Sequence, residues 1–228
     1  MDDRSRFLPA RRALVDDVYD AVLGLLMDQE IAPGSRVSID GIARQLDVSP
    51  TPVREALTRL EAEGLVVKRP LKGYTATPLL DAEGLRQLFE LRTLLEPPAA
   101  GLAARRTTAE FLDALDALSR RMAEGARGGR DDDRFRDYRA FADQDAEFHR
   151  LIAQHSGNPL LADAIGRLRS HLHLYRLYFA HGIAEDAAGE HDAVLRALHT
   201  GDADAAEEAM REHIALSYRR IAARVDES

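Results

Sequence analysis

Between residues 13 and 29 the apolar positions Val15, Val18, Tyr19, Val22, Leu25 and Leu26 recur three and four apart, the spacing of one helix face. That spacing predicts an amphipathic helix, closed by the turn signal Ala32-Pro33-Gly34. Ser38 stands where an N-cap opens a short helix bearing Ile42, Ala43 and Leu46. A second cap, Ser49, precedes a helix whose buried side reads Val53, Ala56, Leu57 and Leu60. Pro50 and Pro52 fit there because first-turn amides have no acceptor within the helix. Gly64 is the stop signal, and residues 65–69 and 73–77 read as two short strands joined by a Pro/Lys/Gly turn.

After Asp81 the period changes. No strand signal is found, and runs rich in alanine and leucine predict helices over 81–106 with a kink at Pro97-Pro98, 108–124, 134–155, 158–180, 187–200 and 202–225. The polar stretch from Gly125 to Asp133 is a break between helices rather than a domain boundary, because each flanking helix alone would leave its apolar side bare. The expected fold is mainly α. An N-terminal winged helix-turn-helix over residues 1–77 is followed by an all-helical bundle over 81–228 that has room for a core and an interior pocket.

Composition narrows the chemistry. A chain with 45% hydrophobic and 31% charged residues is an ordinary folded protein. The lack of cysteine excludes a disulfide scaffold, a thiolate zinc site, an iron-sulfur cluster and a cysteine nucleophile. Met1 to Arg12 holds no apolar run suited to a signal peptide or spanning helix, so a cytoplasmic setting without a membrane partner is expected. The net charge of -8 is unevenly spread: residues 1–77 hold eleven basic against twelve acidic side chains, and the acidic excess lies beyond them. That distribution allows a head that binds a polyanion on a body that repels one. All eight histidines fall after residue 148.

A short helix, tight turn, second helix and hairpin form the arrangement that sets one helix in a DNA major groove and a wing against the neighbouring backbone. The reader helix would begin at Ser49 and Thr51, which can donate to phosphates or base edges. Arg54 projects from its first turn away from the apolar stripe, Arg44 precedes the turn, and Lys68, Arg69 and Lys72 cluster on the wing. Plainer readings are a solvated face for Arg54 and a charged edge that discourages strand pairing for the wing.

The strings Pro33-Gly34-Ser35-Arg36, Ile42 to Leu57 and Leu60-Glu61-Ala62-Glu63-Gly64-Leu65-Val66 resemble the winged helix of GntR-type bacterial transcription regulators. Pro50 stands where that family usually places an arginine, so one expected DNA contact is missing.

In the body, Asp145 and His149 are four apart and share a helix face, within reach of one ion. By itself this spacing equally describes a surface ion pair. The stretches Asp145 to Ile152, Ser156-Gly157-Asn158-Pro159, Glu190 to Leu198 and Ala209 to Ile214 are similar to the helical effector (FCD) domain of the FadR-type GntR branch, a resemblance covering nearly all of residues 81–225. It implies a divalent metal on Asp145, His149, His191 and His213, and effector contacts at Arg92 and Asn158. Three neutral imidazoles and a carboxylate suit zinc best, with nickel or manganese as alternatives, and leave positions open for a ligand oxygen. Arg92 would clamp a small organic acid, or else bridge to Glu96 one turn on.

Together these features imply a ligand-responsive regulator, not an enzyme, that binds double-stranded palindromic operator DNA as a homodimer and acts as a repressor. The alternatives are a metal-dependent hydrolase carrying a DNA-binding head, and a regulator whose effector pocket holds no metal.

Overall fold

The computed structural model describes residues 8–128, 134–178 and 184–225, with side chains described over 13–124, 140–174 and 189–223. Most of the polar break expected at 125–133, and His181, lie outside these limits. The chain divides into two compact units, Met1–Leu79 and Leu80–Ser228. Among the described residues, no helix is long and apolar enough to cross a membrane.

The first unit contains α1 (Leu8–Met27), β1 (Arg36–Val37), α2 (Ile39–Gln45), α3 (Pro50–Ala62), β2 (Val66–Arg69) and β3 (Gly73–Ala76). Its core is the predicted one: Val18, Val22 and Leu26 of α1 meet Val53, Ala56, Leu57 and Leu60 of α3, all buried. Ser38 caps α2 by accepting from the Gly41 amide at 3.0 Å. Gly64 ends the α3 segment at φ 78°, a conformation that favours glycine.

The wing has three strands, not two, in the order β1-β3-β2, with Arg36 opposite Thr75 and Val67 opposite Thr75 on the other side. β1 is too short to show a period of its own. It forms because the chain leaving the Pro33-Gly34 turn runs beside β3, where Ala76 donates to the Ser35 carbonyl at 2.8 Å.

The second unit is helical throughout its described residues: α4 (Ala82–Ala104), α5 (Ala109–Gly128), α6 (Arg134–His155), α7 (Pro159–Arg167), α8 (Ser170–Tyr178), α9 (Ala184–Thr200) and α10 (Ala203–Val225). Helix α4 packs on α10, and α5 on α6 and α9, around Leu85, Phe89, Leu115, Phe148, Leu198 and Met210. Gly101 lets α4 and α10 approach closely, since a Cβ there would lie 3.1 Å from the Ala203 carbonyl.

Helix α4 runs as one helix with Pro97 and Pro98 inside it, as the expected span 81–106 allows. Pro98 removes the donor for the carbonyl of Leu94, a residue 64% exposed, so water can replace that bond. The single helix expected over 158–180 is two, α7 and α8, separated at Arg169, which has φ 49°. Gly166 stands in the last turn of α7, but the apolar period runs on across the junction through Leu168, Leu172 and Leu174 and hides the break.

Candidate functional site

In the head, the expected DNA-facing residues Arg44, Ser49, Thr51, Arg54, Lys68, Arg69 and Lys72 are all exposed. Ser49 occupies the N-cap position of α3 yet makes no capping hydrogen bond. The reason is local: Pro50 and Pro52 carry no N–H, so Thr51 is the sole backbone donor among the first three positions of α3. The α3 terminus is therefore a weaker anion site than its position suggests, and the Ser49 hydroxyl is left for an outside partner.

The two arginines of α3 differ. Arg59 reaches Asp16 of α1 at 2.6 Å and lies over the Tyr19 ring, so it joins helices. The Arg54 guanidinium has no partner among the described residues. On the wing, Lys68 lies 5.8 Å from the Tyr74 ring centroid, while the tip holds the fully exposed Leu71 between Pro70 and Lys72. An apolar side chain at a hairpin tip is a residue that the charge pattern gave no reason to single out.

In the body, three helices bring the four expected ligands together. Asp145 and His149 come from α6, His191 from α9 and His213 from α10, and one ligand atom from each lies within 4.8 Å of the others. His191 Nε2 is 3.1 Å and His149 Nε2 3.9 Å from Asp145 Oδ1, and His213 Nε2 is 3.2 Å from His149 Nε2. His191 is fully buried, and neither of its ring nitrogens has an aligned hydrogen-bond partner among the described residues. A buried imidazole left so is costly unless something else engages it. Three imidazoles and one carboxylate, their ligand atoms gathered within 4.8 Å of one another, are the donor set a divalent cation needs. The residues fit such an ion.

Behind the ligands stand two relays absent from the sequence reading. His149 Nδ1 lies 2.8 Å from Glu96, which is held by Arg92 at 2.7 Å. His213 Nδ1 lies 2.9 Å from Glu190, which is held by Arg220. A carboxylate behind a ligating histidine fixes the ring's tautomer and aim and raises its basicity. The only sequence signal was the i,i+4 spacing of Arg92 and Glu96; nothing local linked Glu96 to His149.

Charge is tuned accordingly. Burial alone would raise the Asp145 carboxyl, but His191, His149 and His213 hold it well below the usual range. Burial likewise opposes ionisation of Glu96, and Arg92 with His149 outweighs it. Burial lowers His213 to about 3 despite Glu190. It lowers His171 to about 4. Both imidazoles are therefore neutral near pH 7, the state in which a nitrogen lone pair can bind metal.

A cavity of about 240 Å³ opens beside Asp145 and His149. Arg92 lines it, but its guanidinium is engaged by Glu96, the ion-pair alternative of the sequence reading. Asn158 does not line it; its side chain caps α7, accepting from the amides of Leu160 and Leu161 at 3.2 Å each. Arg169 and His171, one on each side of the start of α8, do line it and were not singled out for it. Of the remaining histidines, His155 stacks on Phe111 and meets the Arg106 carbonyl, and the exposed His199 meets Asp116 at 3.1 Å.

Comparison with known proteins places both units. Residues 14–75 match the family of bacterial regulatory proteins, gntR family, and residues 87–216 match the FCD domain. The chain belongs to the GntR family of transcription regulators. It is 31% identical over 219 residues to a Paenarthrobacter nicotinovorans protein named "Probable D-xylose utilization operon transcriptional repressor", covering 94% of this chain and 91% of that one. Identity to the Uxu operon transcriptional regulator of Escherichia coli (strain K12) is 30%, over 90% of this chain and 85% of the relative. The solved structure of E. coli McbR/YncC has the same fold, with a TM-score of 0.65 at 24% identity, over 91% of this chain and 98% of that one. The winged helix-turn-helix joined to a helical FCD domain is thus established, and the relatives are regulators rather than enzymes.

Proposed function

We propose that this chain is a dimeric, ligand-released repressor in which a divalent ion on Asp145, His149, His191 and His213 completes a pocket for a small organic acid. The observation that carries this reading is the cluster of three histidines and one carboxylate within an FCD domain, two of whose members, Asp145 and His149, line a cavity. When bound, the ion supplies positive charge and open coordination positions for a ligand oxygen; zinc suits the imidazole-rich set best, nickel next, and manganese least because it prefers oxygen ligands. Arg92 and Arg220 each hold a glutamate, and the glutamates hold His149 and His213 in orientation.

In the head, Arg54 reads base edges in the major groove, Ser49, Thr51 and Arg44 contact the adjoining backbone, and Lys68, Arg69 and Lys72 hold phosphates beside the wing. Two copies present two heads to a palindrome. The surface suited to pairing is on α4 and α10, where Leu91 and Leu94 are exposed beside a hollow lined by Phe89, Ile214 and Tyr218.

An effector acts only if it binds the DNA-competent and incompetent arrangements unequally. Helix α4 is the direct route for that difference, because it starts at Ala82, just past the end of the head, and carries Arg92 and Glu96. The test is operator binding by the full-length protein against small carboxylic and sugar acids, each with and without a strong chelator. Release by an acid in the absence of chelator only supports the metal-assisted pocket. Release unaffected by chelation assigns the effector to a pocket that works without metal, and no release by any acid removes the organic-acid reading.

A further inference from the structure

Four acidic side chains line the cavity, Glu96, Asp143, Asp145 and Glu147, against three arginines, Arg92, Arg150 and Arg169. A divalent ion at Asp145 and His149 reverses that balance and so favours an anion in the cavity. The arginines are not equivalent. Arg92 is bonded twice to Glu96, and Arg150 twice to Glu147. Arg169 has no acidic partner among the described residues, although it is half-buried in the cavity wall. A guanidinium without an acidic partner on the wall of a cavity is the group able to bind a carboxylate through two parallel hydrogen bonds.

Two residues on, His171 lines the same wall and makes no hydrogen bond of its own among the described residues. A neutral imidazole there offers one donor and one acceptor, the complement of a hydroxyl group. Ala153, Ala162, Ile165 and Leu174 complete an apolar floor that has room for only a short carbon chain. The break between α7 and α8 puts these groups there. Arg169 sits in the left-handed conformation at φ 49°, and α8 starts at Ser170, on the cavity wall.

We infer that Arg169 and His171, and not Arg92, are the effector-recognising side chains, and that the ligand is a small hydroxycarboxylate with one oxygen on the metal ion and its carboxylate on Arg169. Arg92 is then a positioning residue: it orients His149 through Glu96 and acts on the metal rather than on the acid. This assignment rests on the metal-assisted pocket proposed above.

The test uses the full-length protein loaded with Co(II), whose visible spectrum reports ligand-sphere changes, titrated with glycolate, L-lactate, L-malate and citrate. In the wild type at least one of these acids perturbs the cobalt spectrum and raises Tm. In Arg169→Gln, cobalt uptake and the acid-free spectrum stay as in wild type while the affinity for that acid falls about tenfold or more. His171→Ala weakens it several-fold, and Arg167→Gln, on an exposed arginine paired with Asp163, leaves it unchanged. Arg92→Gln alters the acid-free cobalt spectrum. Unchanged acid affinity in Arg169→Gln overturns the assignment, as does a cobalt-loaded wild type that binds none of the four acids up to about 10 mM. Failure of the wild type to take up cobalt is a different result: it removes the metal centre itself.

Discussion

Arg59 meets Asp16 in the head at 2.6 Å, and Arg92 meets Glu96 in the body at 2.7 Å. The distances match, and the surroundings do not. The head pair has side-chain exposures of 46% and 63%; the body pair is at 4% each. Water competes for every charge in the head, so its ion pairs contribute little and cations such as Arg54 and Lys72 remain available to DNA phosphates and bases. In the buried body pair both charges have left water, and each stands because the other answers it. The fold thus holds arginine in two ways: exposed on the winged helix, and buried in the FCD domain as a support for Glu96, which faces His149.

The most severe way to test that contrast is to cut both pairs. Glu96→Ala strands a buried guanidinium and is expected to destabilise the body by about 3–5 kcal/mol, whereas Asp16→Ala is expected to cost about 0–1 kcal/mol; chemical denaturation of the two variants measures the difference. Similar losses in the two would mean that burial does not set the value of these pairs.

Metal removal comes next. An ion that binds only the folded chain stabilises it by mass action, about 4 kcal/mol at a thousandfold excess over Kd, so a chelator should lower Tm of the zinc-loaded protein markedly. The same chelator should leave His213→Ala unaffected.

The chelated protein should also be sensitive to acid, and the sign follows from the buried histidines. Folded His213 and His171 stay neutral down to about 3 and about 4, while the unfolded chain binds protons near the ordinary value of 6.5. The unfolded state therefore holds more protons below 6.5, and stability falls as pH falls through that window. The loss is on the order of 2 kcal/mol between pH 6.5 and 5.5 for the two groups. Glu96 and Asp145, both held low, extend the loss through the carboxylate range. Urea midpoints against pH check this, and a midpoint that does not move between pH 7 and 5 would contradict it.

In the head, Arg54→Ala should weaken specific operator binding by about 1–3 kcal/mol. Lys72→Ala should weaken all sequences alike and lower the slope of log K against log salt by about one. An Arg54→Ala protein with wild-type operator affinity would remove that residue from the reader helix's contacts.

The sequence disclosed the head well, because its helices are amphipathic and its turns carry Pro33, Gly34 and Gly64; only the two-residue strand at Arg36–Val37 lacked a period to read. Asp145, His149, His191 and His213 were legible because the stretches around them resemble a known domain, and only the Asp145–His149 pair had a spacing that pointed to a shared face. What supports them was not. Glu96 stands about fifty residues before His149, and Glu190 belongs with His213 only once α9 lies against α10. Arg169 was hidden by a helix break whose one sequence signal, Gly166 in the last turn of α7, was not read as a stop, and the capping bonds of Asn158 to Leu160 and Leu161 appear only once α7 is folded. Local period reveals elements, whereas partnerships between helices appear only when the bundle closes.

We propose that three imidazoles and one carboxylate in the body hold a divalent ion. Elemental analysis of the full-length protein, dialysed against zinc and then against buffer, tests it most directly, alongside His149→Ala and His213→Ala. About one zinc per chain is expected in the wild type, as a four-ligand site requires, and a substoichiometric amount in both variants. A wild type that retains no metal, or variants that retain as much as the wild type, would contradict it.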